Sequence, residues 1–181
     1  MGKIALEFID SKSEDLSRLA KKIWEYPEVA YEEVKASNWT AEFLEKEGFN
    51  VEKGAFGVPT AVKATWGEGK LLIGFLGEYD ALAGMSQKVS TEKEAVVEGE
   101  PGHGCGHNLM APACVDAVLG MKKEMQEKGL KGTVVFYGCP AEESLTGKVF
   151  MARGGAFKEL DIAFSWHPIA KSSLTLGLQL D

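Results

Sequence analysis

Apolar positions recur at helical spacing near the start of the chain. Leu16, Leu19, Ala20, Ile23 and Trp24 fall on one face, and Pro27 stops the run. Ser11 followed by Glu14 has the spacing of a capping box, which predicts that the helix begins there. A second stripe, Ala36, Trp39, Thr40, Phe43 and Leu44, predicts a helix closed by Gly48. The period then changes. Thr60 to Trp66 alternates as a half-buried strand does, and Gly67 to Gly69 supplies a turn. Lys70 to Leu76 is nearly continuous apolar sequence, expected of a central strand buried on both faces.

Met85 to Gly102 is polar and irregular, with charged Glu92 to Glu94 and then Pro101-Gly102. It predicts a long loop within a domain, of a length that often carries function. Asn108 is a suitable N-cap for a third helix whose first half, Leu109 to Met121, is apolar nearly all round and so buried. Pro112 fits its first turn, Lys122 to Lys128 its solvated end, and Gly129 its stop. Thr133 to Tyr137 predicts a further buried strand, Leu145 to Ala152 a short helix closed by Gly154-Gly155, and Ile162 to Trp166 a short strand. Ser172 to Leu180 predicts a final strand. Strands alternating with helices give an α/β fold, a layered sandwich with a central, mostly parallel (mixed) sheet flanked by helices, in one domain over 1–181.

With 181 residues, 45% of them hydrophobic, the chain can bury one core. Its net charge of -7, with 20 scattered basic residues against 27 acidic, argues against a nucleic-acid-binding face. No apolar run approaches the roughly 20 residues of a membrane span. Met1 to Asp10 lacks the pattern of a signal peptide, and three irregularly spaced cysteines make no disulfide framework. The expectation is a cytoplasmic protein with no nucleic-acid or membrane partner. Only three histidines are present, His103, His107 and His167, so each is informative.

The residues capable of chemistry gather at strand ends. Asp80 ends one apolar strand, Glu142 and Glu143 follow the next, and His167 follows the last. His103-Gly104-Cys105-Gly106-His107 stands just before the buried helix. In open α/β sheets, ligands bind beyond the carboxyl ends of the strands. The glycines beside Cys105 let it and His107 aim at one centre, and thiolate, imidazole and carboxylate are ligands of zinc-like ions. The same run also reads as a glycine-rich turn around a buried cysteine, or as a Cys–His nucleophile pair. Adjacent carboxylates point in different directions, so one of Glu142 and Glu143 can ligate while the other acts as base. Their plain reading is a solvated pair capping a helix. Asp80 alone reads as a turn residue, and His167 alone as a packed one. Cys114 and Cys139 read as small core residues.

Taken together, these segments resemble the twentieth metallopeptidase family in its amidohydrolase branch, which includes aminobenzoyl-glutamate, hippurate and auxin-conjugate hydrolases. Gly102-His103-Gly104-Cys105-Gly106-His107-Asn108 is similar to the branch's H-x-C-G-H signature. Glu78-Tyr79-Asp80-Ala81-Leu82 is similar to D-A-L-P, with Ala83 where proline is usual. Pro140-Ala141-Glu142-Glu143 matches P-A-E-E, and Trp166-His167-Pro168 the downstream histidine motif, all in family order. The resemblance implies a zinc-exopeptidase-like fold and metal-dependent cleavage of an amide bond to an amino acid. The substrate would be an N-acyl or N-aroyl amino acid, aminobenzoyl-glutamate or a dipeptide-like molecule.

The resemblance also implies two divalent ions, zinc or manganese. Cys105, His107, Glu143 and His167 would be ligands, Glu142 the general base, and Asp80 the group that orients a ligand. Family members continue into a lid or dimerisation domain and a second half of the catalytic domain, which supplies a last histidine ligand. Residues 1–181 would then be an N-terminal portion with an incomplete second metal site. A truncated, metal-binding but catalytically silent chain is the first alternative, and a free-thiol or redox protein using Cys105 the second. Asp116 stands in the third helix where small residues are usual, so it needs a buried partner or a place at the site's edge. The last apolar strand, Leu174 to Leu180, would leave an exposed sheet edge and a route to self-association.

Overall fold

Five strands form one sheet in a computed structural model that describes residues 2–169. They are β1 (Asn50–Lys53), β2 (Val62–Glu68), β3 (Leu72–Glu78), β4 (Gly132–Cys139) and β5 (Ile162–Ser165), in the order β1-β2-β4-β3-β5. β1 with β2 and β2 with β4 are antiparallel, whereas β4 with β3 and β3 with β5 are parallel. The sheet is mixed, and evenly so. Helices α1 (Lys3–Glu25), α2 (Val34–Lys46), α3 (His107–Lys128) and α4 (Gly147–Arg153) flank it. The strand expected over Ser172 to Leu180, and the edge it would expose, lie outside the described residues.

β4 is buried at every position because both faces of the sheet are covered. Val134 and Phe136 join Leu16, Leu19, Ile23, Leu44, Val115 and Leu119 in the larger core, under α1, α2 and α3. The alternate residues Val135, Tyr137 and Cys139 turn to a second cluster with Val58, Met151 and Ala156, on the α4 side. β3 is less enclosed than its apolar sequence suggests. Its outer neighbour, β5, is four residues long, exposed throughout and outermost among the described residues. The four-residue β1 and a 3₁₀ turn at Ala55–Gly57 carry too short a pattern to be read from sequence.

Two helix starts differ from expectation. α1 begins at Lys3, eight positions before Ser11, whose hydroxyl sits mid-helix and donates to the Phe8 carbonyl. The start is set from outside the segment: Glu124 of α3 accepts the Ala5 N–H at 3.0 Å, and Phe8 packs against the core. α3 begins at His107, with Gly106 as N-cap in the left-handed conformation (φ 87°), so Asn108 lies inside the first turn. The glycine stops hold as expected. Gly48 and Gly129 have positive φ after α2 and α3, and Gly154 caps α4.

The long polar segment is a loop tied at its base. Leu82 and Gly102 exchange backbone hydrogen bonds of 3.1 and 3.0 Å across the loop's base. Among the described residues, no helix is long and apolar enough to cross a membrane.

Asp116 faces neither a partner nor the site. One of its oxygens is buried without a hydrogen bond, and Asp10 of α1 is the charge that acts on it. Burial first, and Asp10 second, push its carboxyl up to about 6. Because the folded pKa lies above the unfolded one, the neutral form favours folding, and that stability is lost as pH rises from about 4 through about 6. Asp116→Asn is therefore expected to raise stability at pH 7 by about 1 kcal/mol, after allowing for partial solvent screening, and to change little at pH 3.5. Urea unfolding at the two pH values checks this, and equal effects at both would refute it.

Candidate metal centre

The parallel register brings the ends of β3 and β4 level, with β5 ending two positions short of them. Glu78 at the end of β3 lies opposite Cys139 at the end of β4, and Leu76 opposite Ser165 at the end of β5. The residues just beyond those ends therefore meet above the sheet, where the first turn of α3 arrives. Asp80, Glu142, Glu143 and His167 come from the strand ends, and Cys105 and His107 from the helix start. Gly106 makes the approach possible: a Cβ there would lie 2.8 Å from Pro168 Cγ, on a backbone already at φ +87°.

His107 is the hub and is fully buried. Its Nδ1–H donates to Asp80 Oδ1 at 3.0 Å and to the Asp80 carbonyl at 3.1 Å. That leaves Nε2 as the lone-pair nitrogen, buried and without a hydrogen-bond partner. Glu78 Oε2 lies 3.3 Å and Glu142 Oε2 3.9 Å from it. Burial acts to lower the His107 pKa, but Asp80, Glu78 and Glu143 outweigh it and raise it. The second oxygen of Asp80 accepts the Glu143 N–H at 2.9 Å, so one carboxylate fixes both a ring and a turn.

On the other flank, Cys105 Sγ lies 3.2 Å from His167 Nε2, whose Nδ1–H donates to the Pro168 carbonyl at 3.0 Å. Burial, with Glu143, Glu142 and Glu78 nearby, pushes the Cys105 thiol up to about 11. Among the described residues, donor atoms of Cys105, His107 and His167 lie within 4.8 Å of one another, and so do those of Glu78, His107 and Glu142. Of the residues expected from sequence, Cys105, His107 and His167 converge fully. Glu143 lies beside them, with its buried Oε1 unpartnered and 3.9 Å from His107 Nδ1.

Glu78 joins the cluster without having been expected from the motifs. It is 4% exposed, and Lys148 pairs with its other oxygen. Burial raises its pKa, opposed by Lys148 and His107. The period of a strand does point to it, since Glu78 and Asp80 are two positions apart and share a face. His103 turns the other way. Its Nε2 lies 3.2 Å from the Ile23 carbonyl at the end of α1, and burial lowers its pKa to about 4. A cavity of about 1080 Å³ between α1 and the long loop is lined by none of the clustered acids, Cys105, His107 or His167.

The donor set fits a divalent metal. Sulfur, imidazole nitrogen and carboxylate oxygen are the ligand types of zinc-like ions. Two buried atoms, His107 Nε2 and Glu143 Oε1, also have no hydrogen-bond partner among the described residues.

No family profile matches the chain. Whole-sequence comparison finds a p-aminobenzoyl-glutamate hydrolase component of Escherichia coli (strain K12), 44% identical over 163 residues, covering 90% of this chain and 34% of that protein. The Xaa-Arg dipeptidase of Mus musculus is 35% identical over 185 residues, covering 95% and 39%. In fold, the chain is similar to a dinuclear metal-binding peptidase of the M20 family from Bacillus subtilis. That match has a TM-score of 0.74 and 23% identity, and covers 87% of this chain and 43% of that one. The chain is thus similar in sequence to amidohydrolases and dipeptidases, and in fold to a peptidase of the M20 family, the twentieth metallopeptidase family. The chain spans little more than a third of the length of the curated relatives it matches.

Proposed function

We propose that the chain is the N-terminal portion of the catalytic domain of a metal-dependent amidohydrolase, which cleaves an amide bond to an amino acid. The observation that carries this reading is the lone Nε2 of buried His107, ringed by a thiol, an imidazole and carboxylates. Cys105, His107, Glu143 and His167 would hold two divalent ions, zinc or manganese. Bound there, such ions would polarise the scissile carbonyl and acidify the attacking water.

The chain's own residues do the rest. Glu142, with its side chain 31% exposed, takes the water's proton and passes it to the leaving amine. Asp80 keeps the His107 ring in one tautomer and holds Glu143 by its backbone. Two relatives are named for amides to amino acids, an aroyl-glutamate and a dipeptide, which supports an N-aroyl amino acid or dipeptide-like substrate. A thiol held up at about 11 by its surroundings speaks against a reactive free Cys105.

Elemental analysis of three purified proteins tests the reading. Wild type is expected to retain zinc or manganese, Cys105→Ser to lose it and Glu142→Ala to keep it. A wild-type chain that carries no metal and takes up none when either is added sinks the proposal.

A further inference from the structure

We propose that Glu33 is a positioning residue for the turn that carries Glu142 and Glu143, an inference that rests on the metal-centre reading above. Glu33 stands at the N-cap of α2 and belongs to none of the motifs. It is nevertheless 0% exposed, and both of its carboxylate oxygens are engaged. Oε1 accepts the Ala141 N–H at 2.7 Å, and Oε2 accepts the Thr60 hydroxyl at 2.9 Å. The Thr60 carbonyl in turn accepts the hydroxyl of Tyr79, a fully buried side chain between Glu78 and Asp80. A chain of hydrogen bonds thus runs from the end of β3 through β2's approach to the turn after β4.

That turn needs holding. Ala141 has φ +55° and Leu145 φ +59°, left-handed conformations that non-glycine residues adopt only when their surroundings impose them. Two buried carboxylates hold alternate amides of the turn: Glu33 holds Ala141, and Asp80 holds Glu143. Glu142 lies between the two fixed points. Among the described residues, no cation pairs with Glu33. An uncompensated buried carboxylate is an expensive way to fill space, which an apolar side chain would do at no such cost. Burial holds the Glu33 carboxyl above its ordinary pKa, while hydrogen bonds from its own backbone, Ala141 and Thr60 pull the other way.

The test compares Glu33→Ala, Glu33→Asp and Glu33→Gln with the wild-type chain, using two readouts. One is hydrogen exchange at Ala141 to Glu143 in metal-free protein, and the other is Co²⁺ titration followed by visible absorption. Ala removes the acceptor, and Asp keeps the charge but falls one methylene short of Ala141. Gln keeps an amide oxygen for Ala141 N–H and turns its NH₂ to the Thr60 hydroxyl oxygen. Ala and Asp are expected to speed exchange about tenfold or more, and to weaken Co²⁺ binding roughly 10- to 100-fold with an altered spectrum. Gln should stay within about threefold of wild type in both. If Ala folds too poorly to measure, Asp against Gln decides. An unchanged Co²⁺ spectrum and unchanged exchange in Ala or Asp would overturn the inference, as would a Gln variant as impaired as Ala. Should wild type take up no Co²⁺, the metal reading fails, while the exchange readout still decides whether Glu33 holds the turn.

Discussion

His107→Ala is expected to abolish metal retention, with a loss well beyond the roughly 100-fold that outer-sphere changes cost. Both groups of converging donors contain this residue, so its removal dismantles the two together. Stability is expected to fall as well, by about 3 kcal/mol in metal-free protein, because a buried charge group loses its partner. Asp80 would keep the Glu143 N–H but lose the ring N–H to its Oδ1, and Glu78 would face a cavity instead of an imidazole. Adding Asp80→Asn to His107→Ala should therefore cost less than the two separate losses combined, since the stranded carboxylate is gone. Elemental analysis and denaturant unfolding of the three variants measure both effects. Full metal stoichiometry in His107→Ala would remove His107 from the centre altogether.

How far the sequence exposes such a site depends on where the deciding contacts come from. Cys105 and His107 are legible because they are close in sequence and flanked by glycine. Asp80, Glu142, Glu143 and His167 are legible because a strand end is a place the apolar pattern marks. Neighbouring parallel strand ends then do the assembling: Glu78 pairs with Cys139, and Ser165 ends opposite Leu76, two positions earlier. Features fixed by distant partners are not legible. The start of α1 depends on Glu124, more than a hundred positions away, and the false start at Ser11 is a local signal that this tertiary contact overrides. Glu33 is silent for the same reason: an acid before an amphipathic helix reads as solvated until Ala141 and Thr60 close over it. β3 errs the other way. Its apolar run suggests full burial, but exposure depends on its neighbours in the sheet, and one of them, outermost among the described residues, is only four residues long.

Gly147→Ala puts helix propensity and packing in direct opposition. Gly147 is the first residue of α4, where alanine would ordinarily stabilise by about 1 kcal/mol. Its backbone φ is not positive, so conformational freedom is not what the glycine provides. It provides room. A Cβ at this position would lie 1.6 Å from the Pro140 carbonyl oxygen and 2.8 Å from its carbon, both backbone atoms that no rotamer change can move. The Gly147 N–H also reaches back to the Ala141 carbonyl at 3.3 Å, so the segment 140–147 is folded tightly onto itself. Relief requires the Pro140–Ala141 backbone to shift, and Glu142 and Glu143 shift with it. Overpacking of about 3 kcal/mol then exceeds the propensity gain, for a net loss of about 2 kcal/mol. Metal affinity is expected to fall in the same variant, because Glu143 leaves the Asp80 carboxylate that holds its amide. Thermal unfolding with and without added zinc checks both parts. A variant more stable than wild type, with metal uptake intact, would show that the turn accommodates the methyl group and that the proximity of Pro140 does not constrain it.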